Sequence, residues 1–338
     1  MCWIRWPSRN CIRLHVPLQW RIFLEVCFRP CACRCTLIDM ATALTIGMFD
    51  GVHAGHRGII DQARAAVGSE GAVVVVTFEP APAVVLSPEK RFWRLMTDRQ
   101  RTAALKEAGV DIVHVLEPNQ AFLQQTPDQF LDHILGQFEP TCILEGRDFR
   151  FGARRAGDVE KLKAVGSQRG FDVLLVEDIE GQLQDGTIVA VRSSVIRDLI
   201  QRGRVRDAAK LLGRPWQLEG IVVKGHQRGR EIGCPTANLD TGDLVLPRDG
   251  VYAGRAYLES GEVHVAAISV GTNPTFDDVV RTCEVHLLDF QGEVGAYDWP
   301  LKVDVDHWIR EQLIFDSIDS LKNAMSRDLE RIRDLVSV

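Results

Sequence analysis

No apolar stretch in this 338-residue chain runs unbroken for the roughly 20 residues that cross a membrane as a helix. Positive charge is not in excess: 40 Lys and Arg stand against 46 Asp and Glu. The net charge of −6 excludes a global basic field that would draw the protein to nucleic acid. There is no internal repeat and no low-complexity tract. The Walker-type phosphate signature G-x-x-x-x-G-K-[ST] is also missing. Past residue 35, cysteine is scarce. Cys142, Cys234 and Cys283 lie far apart, which suits isolated thiols in a reducing, cytoplasmic compartment rather than a disulfide framework.

The first 39 residues are unlike the rest. They hold six of the nine cysteines, three of the seven tryptophans and no lysine. Cys31-Ala32-Cys33-Arg34-Cys35 has one-residue gaps, which is not zinc spacing, and no later Cys/His pair completes a set. The segment is Arg-rich and acid-poor like a targeting peptide, but it has no clean apolar core. Met40 stands directly before the first strand-like run, so the expectation is that translation starts there and that residues 1–39 are an extension, disordered or not native.

The length favours two domains. From Met40 to about Gly213, strand-like and helix-like stretches alternate: Ala72–Phe78, Val110–Leu116, Thr141–Leu144 and Phe171–Val176 as strands; Thr97–Ala108, Pro127–Leu135 and Gly157–Gln168 as helices. That alternation predicts an α/β, Rossmann-like domain with a parallel, doubly wound sheet. Ligands of such sheets bind beyond the carboxyl ends of the strands. After Pro215 the runs are β-rich without long helices between them, which predicts an antiparallel barrel. A last helix is expected over Ser317–Val336, with Ile318, Leu321, Met325, Leu329, Ile332 and Leu335 on one face. The domains are read as 40–213 and 214–338.

The most informative decapeptide is Gly47-Met48-Phe49-Asp50-Gly51-Val52-His53-Ala54-Gly55-His56. It lies between the apolar run Ala43–Ile46 and a helical spacing that starts at Ile59. Strand, glycine-punctuated turn and helix start together make a phosphate cradle, with free N–H groups and a positive dipole end. Two imidazoles three residues apart add hydrogen-bond donors, and an anion beside them can raise their pKa and make them cationic. Such donors suit attack on the α-phosphate of a nucleoside triphosphate, where charge grows on the phosphoryl oxygens.

The decapeptide resembles the H-x-G-H motif of nucleotidyltransferases, in the wording G-x-F-D-G-V-H-x-G-H of bacterial bifunctional riboflavin kinase/FAD synthetases. Three further patches of the first domain extend the resemblance. Thr77-Phe78-Glu79-Pro80-Ala81-Pro82 is similar to T-F-x-P-H-P, with Ala81 in place of His. Gly146-Arg147-Asp148-Phe149-Arg150-Phe151-Gly152 matches G-x-D/N-F-x-F-G; its two phenylalanines are apolar enough to be core or to line the flavin, and read first as core. Val191-Arg192-Ser193-Ser194-Val195-Ile196-Arg197 resembles I-S-S-T-x-I-R, with Arg192 and Ser194 in place of Ser and Thr. Two hydroxyls there would cap a helix in any protein; beside a triphosphate they and Arg197 would hold phosphate oxygens. No carboxylate pair marks a general base in this domain, as expected if the nucleophile is an already ionised phosphate.

The second domain carries Gly220-Ile221-Val222-Val223-Lys224-Gly225-His226-Gln227-Arg228-Gly229-Arg230-Glu231-Ile232-Gly233-Cys234-Pro235-Thr236-Ala237-Asn238. Exposed backbone N–H groups between such glycines can wrap phosphate. Thr236 and Asn238 offer neutral oxygens that suit Mg²⁺. The stretch resembles the riboflavin kinase pattern that ends in P-T-A-N. Gly271–Phe276 resembles G-x-x-P-T-F, and Thr282–Phe290 resembles T-x-E-x-H-L-L-D-F. On a strand, Glu284 and His286 share one face. Val294–Pro300 departs from the family's L-Y-G loop.

The resemblance covers about Leu44 to Arg333. It implies riboflavin phosphorylation to FMN by the second domain and adenylylation of FMN to FAD, with pyrophosphate released, by the first. ATP is the implied co-substrate of both, with Mg²⁺. Its implied catalytic residues are Glu284, as base toward the ribityl hydroxyl, and His53 and His56. The implied nucleotide and phosphate contacts are Gly47, Phe49, Asp50, Gly51, Gly55, Asp148, Ser193, Ser194 and Arg197 in one site. In the other they are Gly225, Gly229, Arg230 and Gly233, with Thr236 and Asn238 as metal ligands. Three alternatives stand beside this reading: a riboflavin kinase whose first domain has decayed, motivated by Ala81 and Arg192; a non-enzymatic flavin-binding protein; and a cytidylyltransferase of another phosphate ester.

Overall fold

The structure, a computed structural model, describes residues 40–225, 227–231, 233–272, 281–292 and 295–336, without the side chains of Arg228 and Glu231. The extension before Met40 and most of the G-x-x-P-T-F segment lie outside the described residues, as does Val294 in the altered loop.

Five parallel strands form the first sheet: β1 (Thr42–Ile46), β2 (Ala72–Phe78), β3 (Ile112–Leu116), β4 (Cys142–Gly146) and β5 (Asp172–Val176), in the order β3-β2-β1-β4-β5. Every residue of β1 and β2 is buried, because helices cover both faces. Side-chain alternation divides them between two cores. Val73 and Val75 meet Ile60 and Ala63 of α1 (Ala54–Val67) and Leu105 of α3 (Asp98–Glu107), which follows the short α2 (Pro82–Leu86). Val74 and Val76 face the other way. They meet Phe130, Leu131 and Ile134 of α5 (Pro127–Phe138), which follows the single turn α4 (Gln120–Leu123), and Leu162 of α6 (Val159–Arg169). Local sequence fixes the helix starts: Thr97 and Thr126 form capping boxes with Gln100 and Gln129, and Asp158 caps α6.

The strand order reverses between β1 and β4, which opens the crevice where ligands of such sheets bind. Pairing there runs through Ala43–Cys142 and Leu44–Ile143. Beyond it, the Ile46 N–H donates to the Glu145 carboxylate at 2.7 Å. The sequence reading does not include the hairpin β6 (Glu180–Gln182) and β7 (Ile188–Ala190), whose three-residue strands are too short to show a period. It also does not include α8 (Val205–Leu212), which follows α7 (Ser193–Gln201).

The second half is a closed barrel in the order β10-β11-β12-β9-β8-β13. Its strands are β8 (Trp216–Val223), β9 (Ala237–Asp240), β10 (Gly250–Tyr257), β11 (Val263–Gly271), β12 (Thr282–Leu287) and β13 (Pro300–Arg310). The turn α9 (Arg228–Glu231) sits between β8 and β9, and α10 (Ile318–Leu335) packs Ile332 against Ala253, Leu288 and Ile309. No helix of the described residues is long and apolar enough to cross a membrane.

The join is more than a linker. Ile196, Leu199 and Ile200 of α7, and Ala208, Leu211 and Leu212 of α8, belong to the same core as Leu218, Tyr252, Ile268 and Val303 of the barrel.

Candidate functional sites

The loop after β1 turns sharply. Phe49, Gly51 and Val52 have positive φ values of 49°, 90° and 39°. For Phe49 and Val52 that conformation costs about 1–3 kcal/mol each, and it persists only where the surroundings over-determine it. Here they do. The Asp50 carbonyl accepts from the Ser193 hydroxyl at 2.8 Å. The Asp50 carboxylate accepts from the Leu95 N–H at 3.0 and 3.1 Å. Arg214 donates to the Gly51 carbonyl at 2.7 Å and to the Val52 carbonyl at 3.2 Å. A Cβ on Gly51 would stand 2.7 Å from Leu95, so both space and backbone require glycine there.

This turn delivers two histidines to one helix start. His53 is the N-cap of α1, and its Nδ1 accepts from the His56 N–H at 3.3 Å. With Nδ1 an acceptor, the neutral ring carries its proton on Nε2. The two imidazoles stack with centroids 3.6 Å apart, and His56 leans on Phe49 at 4.9 Å. Burial, then the Arg214 and Arg197 charges, hold the His53 imidazole down to about 4. Burial, then His53 and Arg214, keep His56 well below its ordinary value. Both are therefore neutral donors at pH 7 while no anion lies beside them. His56 Nδ1 is buried with no hydrogen-bond partner among the described residues.

The other expected residues divide into two groups. Ser193, Ser194 and Arg197 lie at the start of α7, which Arg192 begins without any side-chain cap, so the helix-cap role for these hydroxyls is not the one observed. Ser193 is engaged with Asp50, and Ser194 is exposed. The Arg197 Nε lies 3.5 Å from the Asp50 carboxylate. Asp50 itself is only 4% exposed and faces inward, so it shapes the loop rather than the open crevice. Burial raises its carboxyl pKa, and Arg197 opposes the rise. Gly47 and Gly55 lie against the Phe49 and His53 rings. Asp148 is exposed and accepts from Arg192 at 3.1 Å; Arg192 also bonds Asp178 at 2.6 Å. Phe151 is core, stacked with Phe149. Ala81 is buried at 4% exposure.

Two buried residues were not singled out by sequence. Arg101, 1% exposed, ties the Met48 and Phe78 carbonyls together at 3.3 and 3.1 Å. Glu145 is 4% exposed, and burial holds its carboxyl well above the usual range. Neither lies in a motif whose spacing announces a role.

In the barrel, the β9–β12 ladder sets Asn238 opposite Glu284. Thr236 donates to Glu284 at 3.1 Å, so Thr236, Asn238 and Glu284 form one cluster. His286, two residues along the same face, donates from Nδ1 to the Pro235 carbonyl at 2.7 Å. A Cβ on Gly225 would overlap the Asn238 amide, which explains a glycine at that place. Gly229 lies beside Cys234 and Thr236, Gly233 has φ 83°, and Arg230 approaches Gly295. A cavity of about 230 Å³ opens beside this cluster, lined by Thr236, Asn238, His286, Phe290, Tyr297 and Trp299 among others. The altered loop thus supplies two rings to the cavity, and Gln227 donates to the Tyr297 hydroxyl at 2.8 Å. The pattern departure had hidden both aromatics.

The free thiols Cys142, Cys234 and Cys283 are all buried. Burial pushes Cys234 up to about 11 and Cys283 up to about 12, which leaves both unreactive.

A family model for FAD synthetase matches residues 36–189, and one for riboflavin kinase matches residues 212–336. A bifunctional riboflavin kinase/FMN adenylyltransferase of Haemophilus influenzae is 34% identical over 85% of this chain and 92% of its own length. That of Pseudomonas fluorescens is 36% identical over 87% and 92%, and that of Escherichia coli 34% over 84% and 90%. A crystal structure described as a macrolide-efflux protein from Streptococcus pneumoniae superposes with a TM-score of 0.76 at 31% identity, over 87% of this chain and 94% of that one.

Proposed function

The chain belongs to the bifunctional riboflavin kinase/FMN adenylyltransferase family, and on that premise we propose which residues carry its two reactions. Its C-terminal barrel phosphorylates riboflavin to FMN, and its N-terminal α/β domain adenylylates FMN to FAD. The observation that carries the assignment is the pair of separate clusters: stacked His53 and His56 at the α1 start, and Thr236, Asn238 and Glu284 on the barrel wall. We set the division at 213/214, where α8 ends. ATP is the proposed co-substrate of both reactions, and the cytoplasm the proposed location, on the unpaired thiols of Cys142, Cys234 and Cys283.

For the kinase, Glu284 takes the proton of the ribityl 5′-hydroxyl as its oxygen attacks the γ-phosphorus and ADP leaves. The Thr236 hydroxyl holds one carboxylate oxygen in place. The oxygens of Thr236 and Asn238, with the room Gly225 leaves beside them, fit a hard divalent cation such as Mg²⁺, which would neutralise phosphate charge there. Phe290, Tyr297 and Trp299 give a flat apolar ligand its walls.

For the adenylyltransferase, a phosphate oxygen of FMN attacks the α-phosphorus of ATP and pyrophosphate departs. The nucleophile is already ionised, so positioning and fixed donors supply the rate. His53 and His56 serve as those donors with the α1 amides. The uncapped α7 start, Ser194 and Arg197 face the remaining phosphates.

The test is a chromatographic time course with protein, riboflavin, ATP and Mg²⁺. FMN followed by FAD is expected. FMN that accumulates without FAD would remove the adenylyltransferase assignment and point to Ala81 and Arg192; neither product would leave a flavin-binding protein.

A further inference from the structure

Arg214 lies outside every motif so far assigned a role, yet it reaches the loop that carries both histidines. We propose that Arg214 is a positioning residue for adenylyl transfer, fixing the 51–53 turn from the barrel side of the join. The inference rests on the adenylyltransferase reading of the N-terminal domain.

One guanidinium meets three carbonyls: Gly51 at 2.7 Å, Val52 at 3.2 Å and Leu212 at 3.3 Å. Gly51 and Val52 immediately precede the N-cap His53, and both hold left-handed backbone. A β-branched residue stays in that conformation only while its surroundings insist on it. Val52 is fully buried, so no water can replace the arginine at its carbonyl. Two residues later, Trp216 begins β8, and its indole N–H donates to the Leu95 carbonyl at 3.0 Å. The Leu95 N–H is the donor that Asp50 accepts. The turn is therefore gripped at both ends by the first three residues after the α8 C-cap.

The guanidinium has no carboxylate within ion-pair distance among the described residues. Arg57 and Glu107 face it, while Arg197, paired with Asp50, faces His53 from α7. A half-buried cation with no carboxylate beside it is costly to keep. It also acts on the imidazoles, since Arg214 helps hold both below their ordinary values.

The test uses the full chain with Arg214→Gln and Arg214→Lys, measuring FAD from FMN and FMN from riboflavin in parallel. For Arg214→Gln, kcat for FAD formation should drop about a hundredfold, the scale of a misplaced catalytic group, with KM for ATP changing less. The acidic limb of its pH–rate profile should move to higher pH as the imidazoles lose a nearby positive charge. Arg214→Lys should restore that limb and part of the rate. FMN formation should stay near wild type, which shows that the chain is folded. FAD formation at the wild-type rate in Arg214→Gln, or an unmoved acidic limb, would overturn the proposal. So would a parallel loss of both reactions in both variants. Wild-type protein that makes no FAD at all would instead break the underlying reading.

Discussion

The loop at residues 47–56 and the loop at residues 224–236 do similar work by opposite means. The first is packed: Phe49, Asp50, Gly51, Val52 and His53 are all buried, three of them with positive φ, and the turn is clamped by groups from three distant segments. The second is open. Gln227 and Arg230 are exposed, and its glycines make room for a neighbouring strand's side chains. A rigid turn suits a reaction in which the nucleophile arrives already charged and only position is needed. An open loop suits one in which a base, Glu284, must meet a neutral hydroxyl. Buried loops fail through packing and charge; open loops fail through single contacts.

The sharpest break of this comparison is Glu284→Gln. It should lower FMN formation about 10²–10⁴-fold, the range of a lost general base, while FAD formation from supplied FMN is unchanged. His56→Ala is the converse: FAD formation should fall about 10²–10³-fold, as on loss of one transition-state donor, with FMN formation intact. Gly225→Ala should weaken the kinase by about tenfold or more, because its methyl displaces the Asn238 amide, and leave FAD formation alone. Each is read by chromatography with riboflavin and FMN supplied in separate reactions, and a loss of both activities in any one variant would argue against separate sites.

A last effect is on stability rather than on rate. The unfolded His53 ring takes up a proton near 6.5, the folded one only near 4. Between those values the unfolded state binds more protons, so this residue's contribution is intact above about pH 6.5 and drains away as pH falls toward 4, by on the order of 3 kcal/mol at the acid limit. Thermal melts over that window should show the decline, and His53→Gln should flatten it. Cys234, the buried thiol of the loop at 224–236, is pushed up to about 11, far outside this window.

Much of this was legible in the chain. The continuous Val-rich run Ala72–Phe78, the capping threonines and the glycine-rich turns are local patterns, and they mark elements within a residue or two. The face shared by Glu284 and His286 follows from strand alternation alone. Less legible were features made by distant segments. Asp50 looks like a ligand in the decapeptide, but its partners are Leu95 and Arg197. Arg192 breaks a motif, yet it finds Asp148 and Asp178 in space. Tyr297 and Trp299 sit in a loop that matches no pattern and still line the cavity.

By itself, the sequence determined the order of the two folds, the chemistry each can host and the residue types at each turn, because those depend on neighbours within a few positions. Only the tertiary structure decided that α7 and α8 share a core with the barrel, and that an arginine past the join holds the histidine turn. The reason is physical: a strained, buried backbone takes its stability from groups more than a hundred residues away, and no local period records them.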